Sequence, residues 1–133
     1  MGSFDAIGIA GSGMTVYRTW LDAISDNLAN VSTVRSTDED AFQQRFVIAE
    51  SADYGQPAGA RVAGVELGSA EGRLVYEPGH PLADAEGYVR YPDIDMASQM
   101  TQLIMAQRGY QANAAVVDRA KETYMAALQI GRN

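Results

Sequence analysis

Met14-Thr15-Val16-Tyr17-Arg18-Thr19-Trp20-Leu21-Asp22-Ala23-Ile24-Ser25-Asp26-Asn27-Leu28-Ala29-Asn30 decides how the chain is read, because its apolar side chains fall three and four residues apart. Extended upstream, Ile7, Met14, Leu21 and Leu28 recur every seven positions, and Ala10, Tyr17, Ile24 and Val31 each follow three residues later. That alternation draws one narrow apolar stripe along an α-helix. It predicts a helix from Phe4 to Asn30, roughly 40 Å long at ~1.5 Å per residue. Gly8, Gly11 and Gly13 weaken its opening turns by about 1 kcal/mol each relative to alanine, and they leave room for another backbone. Asn30 stands where a left-handed helix cap would fall.

The other end of the chain repeats the pattern. Pro92-Asp93-Ile94-Asp95 reads as a helix start, with an aspartate able to accept hydrogen bonds from free backbone amides. Beyond it, Met96, Leu103, Tyr110, Val117 and Tyr124 recur every seven residues. Met100, Gln107, Ala114, Lys121 and Leu128 are expected to fill the second stripe position. The helix is predicted to reach Ile130, roughly 55 Å. With Gln107 and Lys121 in it, this stripe is too polar and too narrow to close a core alone. Trp20, Ile104, Val116, Ala120 and Ala127 lie off the stripes and are expected to meet helices of other chains.

Between the two helices the period changes to two. Phe42, Gln44, Phe46 and Ile48 alternate with Gln43, Arg45 and Val47, as in a half-buried strand. A turn-rich run from Asp53 to Gly59 follows, and Arg61 to Leu67 fits a second strand with Ala63, Val65 and Leu67 on one face. Arg73 to Glu77 and Tyr88 to Tyr91 fit two more strands of a small sheet. Pro78-Gly79 suits the centre of a type II turn. All four prolines (Pro57, Pro78, Pro81, Pro92) lie in this middle segment. The expected architecture is α+β: an N-terminal helical arm (residues 1–34) and a C-terminal one (93–133) pair as an antiparallel coiled-coil hairpin around a small antiparallel β domain (35–92).

Composition narrows the chemistry. The 133 residues carry 17 acidic and 10 basic side chains, a net charge of −7. Ten acids against five bases fall in 35–92. Such a surface repels phosphate backbones, so nucleic acid is not an expected partner. No cysteine is present, which excludes disulfides, thiolate metal sites and a cysteine nucleophile. His80 is the single histidine, too few for a multi-histidine zinc centre. Gly8-Ile9-Ala10-Gly11-Ser12-Gly13 follows no strand and does not fit a phosphate cradle. Asp38-Glu39-Asp40 lacks the spaced ligands of a calcium loop, and Asp93 and Asp95 suit helix capping better than acid–base catalysis. The expectation is a protein that is not an enzyme, with no cofactor and no metal. No apolar run approaches the roughly 20 residues of a membrane helix, so membrane insertion is not expected. The first residues do not form a basic stretch followed by a long apolar run, so a cleaved secretory signal is not expected either.

Ser25-Asp26-Asn27-Leu28-Ala29-Asn30 resembles the N-terminal signature of the bacterial flagellar axial proteins, the rod and hook group, in which a helix ends in Asn-Leu-Ala-Asn. The run from Leu74 through Glu77-Pro78-Gly79-His80-Pro81-Leu82-Ala83-Asp84 to Gly87-Tyr88-Val89 and Pro92 is similar to the proximal rod members of that group. So is the stretch from Gln99-Met100 to Arg108-Gly109-Tyr110-Gln111-Ala112-Asn113. Departures occur at Asp22 and Asp26, in the bulky Val16-Tyr17-Arg18-Thr19-Trp20, and in the acidic stretch from Asp38 to Arg45. The resemblance implies a structural subunit of the basal-body rod, the drive shaft between motor and hook, needed for flagellum assembly and motility. Implied partners are other rod proteins, copies of the chain itself in a helical assembly, and the flagellar type III export apparatus, with delivery to the cell envelope without signal cleavage. Side chains expected to form the helix seam or assembly contacts are Ile7, Met14, Tyr17, Trp20, Leu21, Ile24, Asn27, Leu28, Asn30, Met100, Leu103, Tyr110, Asn113, Val117, Tyr124 and Leu128. The alternatives are another axial component of the same family and a cytosolic helical-hairpin chaperone or adaptor; the latter would share the acidity and the stripes, but not the paired terminal signatures with a sheet between them.

Overall fold

The computed structural model describes residues 2–53, 55 and 57–132. Helix α1 spans Ser3–Ala29, and helix α2 spans Met96–Ile130. Between them lie β1 (Arg45–Asp53), β2 (Pro57–Leu67), β3 (Arg73–Tyr76) and β4 (Tyr88–Tyr91). The architecture is α+β. The strands form two separate antiparallel ribbons, β1–β2 and β3–β4, rather than one small sheet.

Helix α1 begins where the Asp5 carboxylate accepts the Gly2 N–H at 3.0 Å. It ends at Asn30, whose N–H bonds back to the Asp26 and Asn27 carbonyls. Asn30 has φ −109°, so the left-handed cap expected there does not form. Instead the Asn30 side chain closes the last turn itself, with Nδ2 donating to the Asp26 carbonyl at 2.9 Å and Oδ1 accepting from Thr33 Oγ1 at 3.1 Å. Helix α2 starts as the sequence suggests. Asp95 is its N-cap and accepts the Ala97 N–H at 3.3 Å.

The two helices pack against each other in opposite directions. Phe4 meets Tyr124, Gly13 meets Asn113, Tyr17 meets Gly109 and Asn27 meets Gln99, so each step up α1 is a step down α2. Ala10, Ala23, Ile24, Asn27, Gln99 and Ala106 are buried along the two helices. The row of α2 that faces α1 therefore runs Gln99, Leu103, Ala106, Tyr110, Asn113, Val117 and Ala120. This corrects the second stripe position by one residue. Met100, Gln107, Lys121 and Leu128 are exposed, whereas Gln99, Ala106, Asn113 and Ala120 stand inward of them. The apolar count of the sequence favoured Met100 and Leu128, but what fits against α1 is small or polar.

The ribbon β1–β2 lies along α1. β1 begins later than the alternation suggests and runs longer, and β2 begins earlier, at Pro57 rather than Arg61. Phe42 and Gln44 remain outside β1, and β1 continues through Asp53 to pair with Pro57. Of the turn expected from Asp53 to Gly59, Tyr54 and Gln56 lie outside the described residues. Of the two alternating rows, the one with Val47 is the inner: Val47 is partly buried towards α1, while Phe46 and Ile48 are exposed at 44% and 39%. Ala63, Val65 and Leu67 are exposed as well. A register shift between Ile48 and Ala49 lets the ribbon bend along the helix.

The ribbon β3–β4 and the loop before β1 form a second small packed unit around Ala41, Val89, Pro92 and Ile94. Arg35 bridges to Arg90 by two backbone hydrogen bonds. The Arg90 guanidinium reaches the carbonyls of Glu71 and Thr37. Gly72 is the residue that makes this packing possible: its φ is +57°, and a Cβ there would lie 2.1 Å from the Tyr91 carbonyl oxygen. Glu77-Pro78-Gly79-His80 is a turn closed by the His80 N–H on the Glu77 carbonyl. It is not type II, because Gly79 is not among the glycines with positive φ.

Candidate assembly interface

Asn27, the first asparagine of Asn-Leu-Ala-Asn, is 1% exposed and joins three elements. Its Nδ2 donates to the Arg45 carbonyl and to Gln99 Oε1, each at 3.0 Å, and its Oδ1 accepts the Arg45 N–H at 2.8 Å. The side-chain amide thus pairs with the edge of β1 as another strand would, while its second N–H ties α2 to α1. Gln99 is equally buried. Sequence reasoning treated Asn27 as one seam residue among many and Gln99 only as part of a resemblance. The signal that would have found both is polarity on an otherwise apolar stripe, since buried amides must be paired.

The remaining expected residues fall into two groups. Ile7, Met14, Tyr17, Trp20, Leu21, Leu28 and Asn30 are partly buried on α1, and Ile24 is buried. On α2, Leu103, Tyr110, Asn113 and Val117 are partly buried, whereas Met100, Tyr124 and Leu128 are exposed. The opening glycines of α1 differ among themselves. Nothing approaches Gly8 or Gly11, but a Cβ on Gly13 would sit 3.0 Å from the Asn113 amide. Close approach recurs at Gly109, where the Tyr17 ring occupies the space of the missing side chain.

Tyr17 stacks on Trp20 with ring centroids 6.2 Å apart. Together with Val16, Val47 and Ala60 they line an open apolar cleft of about 360 Å³ between α1 and the β1–β2 ribbon. Trp20 therefore touches its own chain. A second cleft of about 430 Å³, further along α1 and sharing Val47 with the first, carries Asp22, Asp26 and Arg45 beside Val65 and Leu67. The β1–β2 ribbon is held to α1 here by hydrogen bonds: Ser12 Oγ donates to the Ile9 carbonyl at 2.6 Å and accepts the Ala60 N–H at 3.0 Å. Gly59, at φ +100°, makes that approach possible.

Away from the helices, ionisable groups are engaged in local structure. His80 Nδ1 accepts the Leu82 N–H at 3.0 Å. The Asp84 carboxylate accepts the N–H groups of Tyr88 and Glu86, each at 2.9 Å, and the Thr37 hydroxyl at 3.0 Å. The Tyr88 amide, more than any other partner, holds Asp84 below the usual carboxylate range. The Tyr91 hydroxyl donates to Glu77 at 2.9 Å, which raises the phenol's pKa. Among the described residues no three His, Cys, Asp or Glu side chains are placed to hold a metal ion. No described helix is long and apolar enough to cross a membrane.

What is left uncovered is apolar surface. On α2, Met96, Met100, Ile104, Met105, Val116, Met125, Leu128 and Ile130 are exposed, and so is Phe4 on α1. Every described residue from Lys121 onward is exposed. A chain with this much uncovered apolar surface on a long helix is shaped for contact with neighbours.

Residues 85–130, which hold β4 and α2, match the family described as flagellar basal body rod FlgEFG protein C-terminal. Over nearly its whole length the chain is similar to proteins named flagellar basal-body rod protein FlgC. That of Yersinia enterocolitica is 36% identical across 99% of this chain and 100% of its own length. That of Borreliella burgdorferi is 34% identical across 98% of each, and that of Bacillus subtilis 28% identical across 99% and 100%. With its paired terminal helices and the Asn-Leu-Ala-Asn junction, the chain belongs to the FlgC family of flagellar basal-body rod proteins.

Proposed function

We propose that the chain is a structural subunit of the flagellar basal-body rod, assembling with other rod proteins and with copies of itself to carry motor torque to the hook. The observation that carries this reading is its near full-length similarity to rod proteins. The uncovered apolar surface of α2 supports it, because torque transmission calls for many copies of a contact that resists shear. Extended helical packing supplies such a contact. Exposed ion pairs, worth about 0–1 kcal/mol each, do not.

In this reading residues 1–34 and 93–133 are the two arms of a coiled-coil hairpin, and 35–92 form the outer β-rich part. The α1–α2 seam holds the hairpin together, with Ile7, Met14, Leu21, Leu28, Leu103, Tyr110, Val117 and the buried Asn27 in it. Met100, Tyr124, Leu128 and the outer edge of Trp20 face neighbouring subunits. The chain reaches the cell envelope through the flagellar export apparatus without losing a signal peptide, and it performs no catalysis. The test is a deletion strain. It should lack flagella and regain motility on complementation, and the protein should be recovered in isolated basal bodies. A motile deletion strain, or a protein found only in the cytosol, refutes the reading and restores the chaperone alternative. In the same strain, Trp20→Ala should be secreted normally but enter basal bodies poorly; normal incorporation would remove Trp20 from the interface.

A further inference from the structure

The apolar rows of the two helices do not define how α1 and α2 align. Ile7, Met14, Leu21 and Leu28 repeat every seven residues, and so do Leu103, Tyr110, Val117 and Tyr124. Sliding one helix by a heptad keeps these rows opposite each other. Three other pairs do not survive the slide. Tyr17 lies over Gly109, where any Cβ would come within 2.3 Å of the ring. Asn113 packs on Gly13 at 3.0 Å from the position of an absent Cβ. Asn27 bonds Gln99 at 3.0 Å, with both side chains 1% exposed.

We infer that these small-residue and amide pairs form a register code, by which α1 accepts α2 in one alignment and rejects slipped pairings. A slip of one heptad in either direction places Tyr17 over Val116 or Gln102, neither of which offers a slot. The same slips set Asn27 against Ala106 or Pro92, which leaves a buried amide without a side-chain partner. A polar pair in a helix seam is a known means of specifying alignment at some cost in stability. The inference concerns the helical hairpin that the rod reading assigns to the two arms, and rests on that reading for nothing else.

The chain has no cysteine, so introduced thiols report pairing without background. Phe4→Cys with Tyr124→Cys, where the rings lie 5.0 Å apart, reports the observed alignment. Phe4→Cys with Val117→Cys reports a one-heptad slip. Each reporter is placed in the otherwise unchanged full-length chain, in Gly109→Ala, in Gln99→Leu and in Tyr17→Ala/Gly109→Ala. Oxidation is carried out alone and with a mass-tagged second copy. In the unchanged seam only the first reporter should close, and within one chain. The three variants should keep their helicity by circular dichroism while the ratio of slipped to native cross-links rises by about tenfold or more. A native cross-link alone in every variant overturns the inference. So does a loss of helicity in all three variants, since these residues would then be required for folding rather than for choosing an alignment. Because the purified chain is measured, the result stands apart from incorporation into basal bodies, which tests the rod reading.

Discussion

Replacing Asn27 by alanine tests whether the polar junction holds the three elements together. The substitution removes two donated hydrogen bonds of 3.0 Å and one accepted bond of 2.8 Å. It leaves the Arg45 N–H, the Arg45 carbonyl and Gln99 Oε1 without those partners. Each lost bond costs about 1 kcal/mol net, and up to about 3 kcal/mol where water cannot reach the orphaned group. The Arg45 side chain is 47% exposed, so water can recover part of the loss at the ribbon edge, but Gln99 is 1% exposed and has no such recourse. A small cavity adds to this at roughly 24 cal/mol per Å³. The total is about 3–5 kcal/mol, or a Tm lower by roughly 10–20 °C for a chain of this size. Thermal unfolding followed by circular dichroism measures the loss, and amide exchange at Arg45 should accelerate in parallel. Asn27→Asp should be no milder. It keeps an acceptor for the Arg45 N–H, but sets a carboxylate against the Arg45 carbonyl and Gln99 Oε1. A loss below about 1 kcal/mol, or unchanged exchange at Arg45, would falsify the idea that this amide joins helix, ribbon and helix.

Further outcomes follow from other parts of the structure. Gly72→Ala should cost more than about 2 kcal/mol in urea unfolding, because positive φ and a backbone clash act together, whereas Gly79→Ala, with no atom within 4 Å, should stay within about 0.5 kcal/mol. Asp84 is held below the usual carboxylate range in the folded chain. Its contribution to stability is therefore complete at neutral pH and is lost as pH falls below the unfolded carboxylate range towards its lowered folded pKa. Asp84→Asn should be less stable than the parent at neutral pH and show a shallower acid loss, read as Tm against pH; an unchanged slope would contradict the assignment. A chain truncated after Asp95 should show little helicity for α1, because its partner row is gone; a stable α1 signal would show that the β1–β2 ribbon alone supports it.

Much of the fold was legible because local rules and tertiary packing agree. The capping aspartate and the change from period seven to period two locate both helices to within a residue or two, and β3 and β4 nearly as well. Reading failed where the partner decides. The inward row of α2 contains Gln99, Ala106, Asn113 and Ala120, which hydrophobicity alone ranks below Met100 and Leu128. Their fitness comes from Gly13, Tyr17 and Asn27 opposite, which a one-dimensional pattern does not show. Similarly, β1 starts at Arg45 and not at Phe42 because its partner β2 ends at Leu67, opposite Arg45. Phe46 and Ile48 look like inward residues but lie on the outer side of a ribbon whose other face meets α1. Asn27 and Asn30 were visible as a signature, while their work, one joining elements and the other closing a helix, depends on atoms far along the chain or on a turn geometry that no spacing encodes.

The bond between Asn27 and Gln99 joins residues 72 positions apart. Bringing them together closes a loop that contains both ribbons, and the entropy of that closure must be met before the seam yields any stabilisation. A chain released from its N-terminus first therefore has α1 in hand, but nothing for its stripe to bury, until the start of α2 has followed. Helix, ribbon and helix become stable in one late step rather than in sequence. The topology itself delays closure of the helical seam until the start of α2 is available.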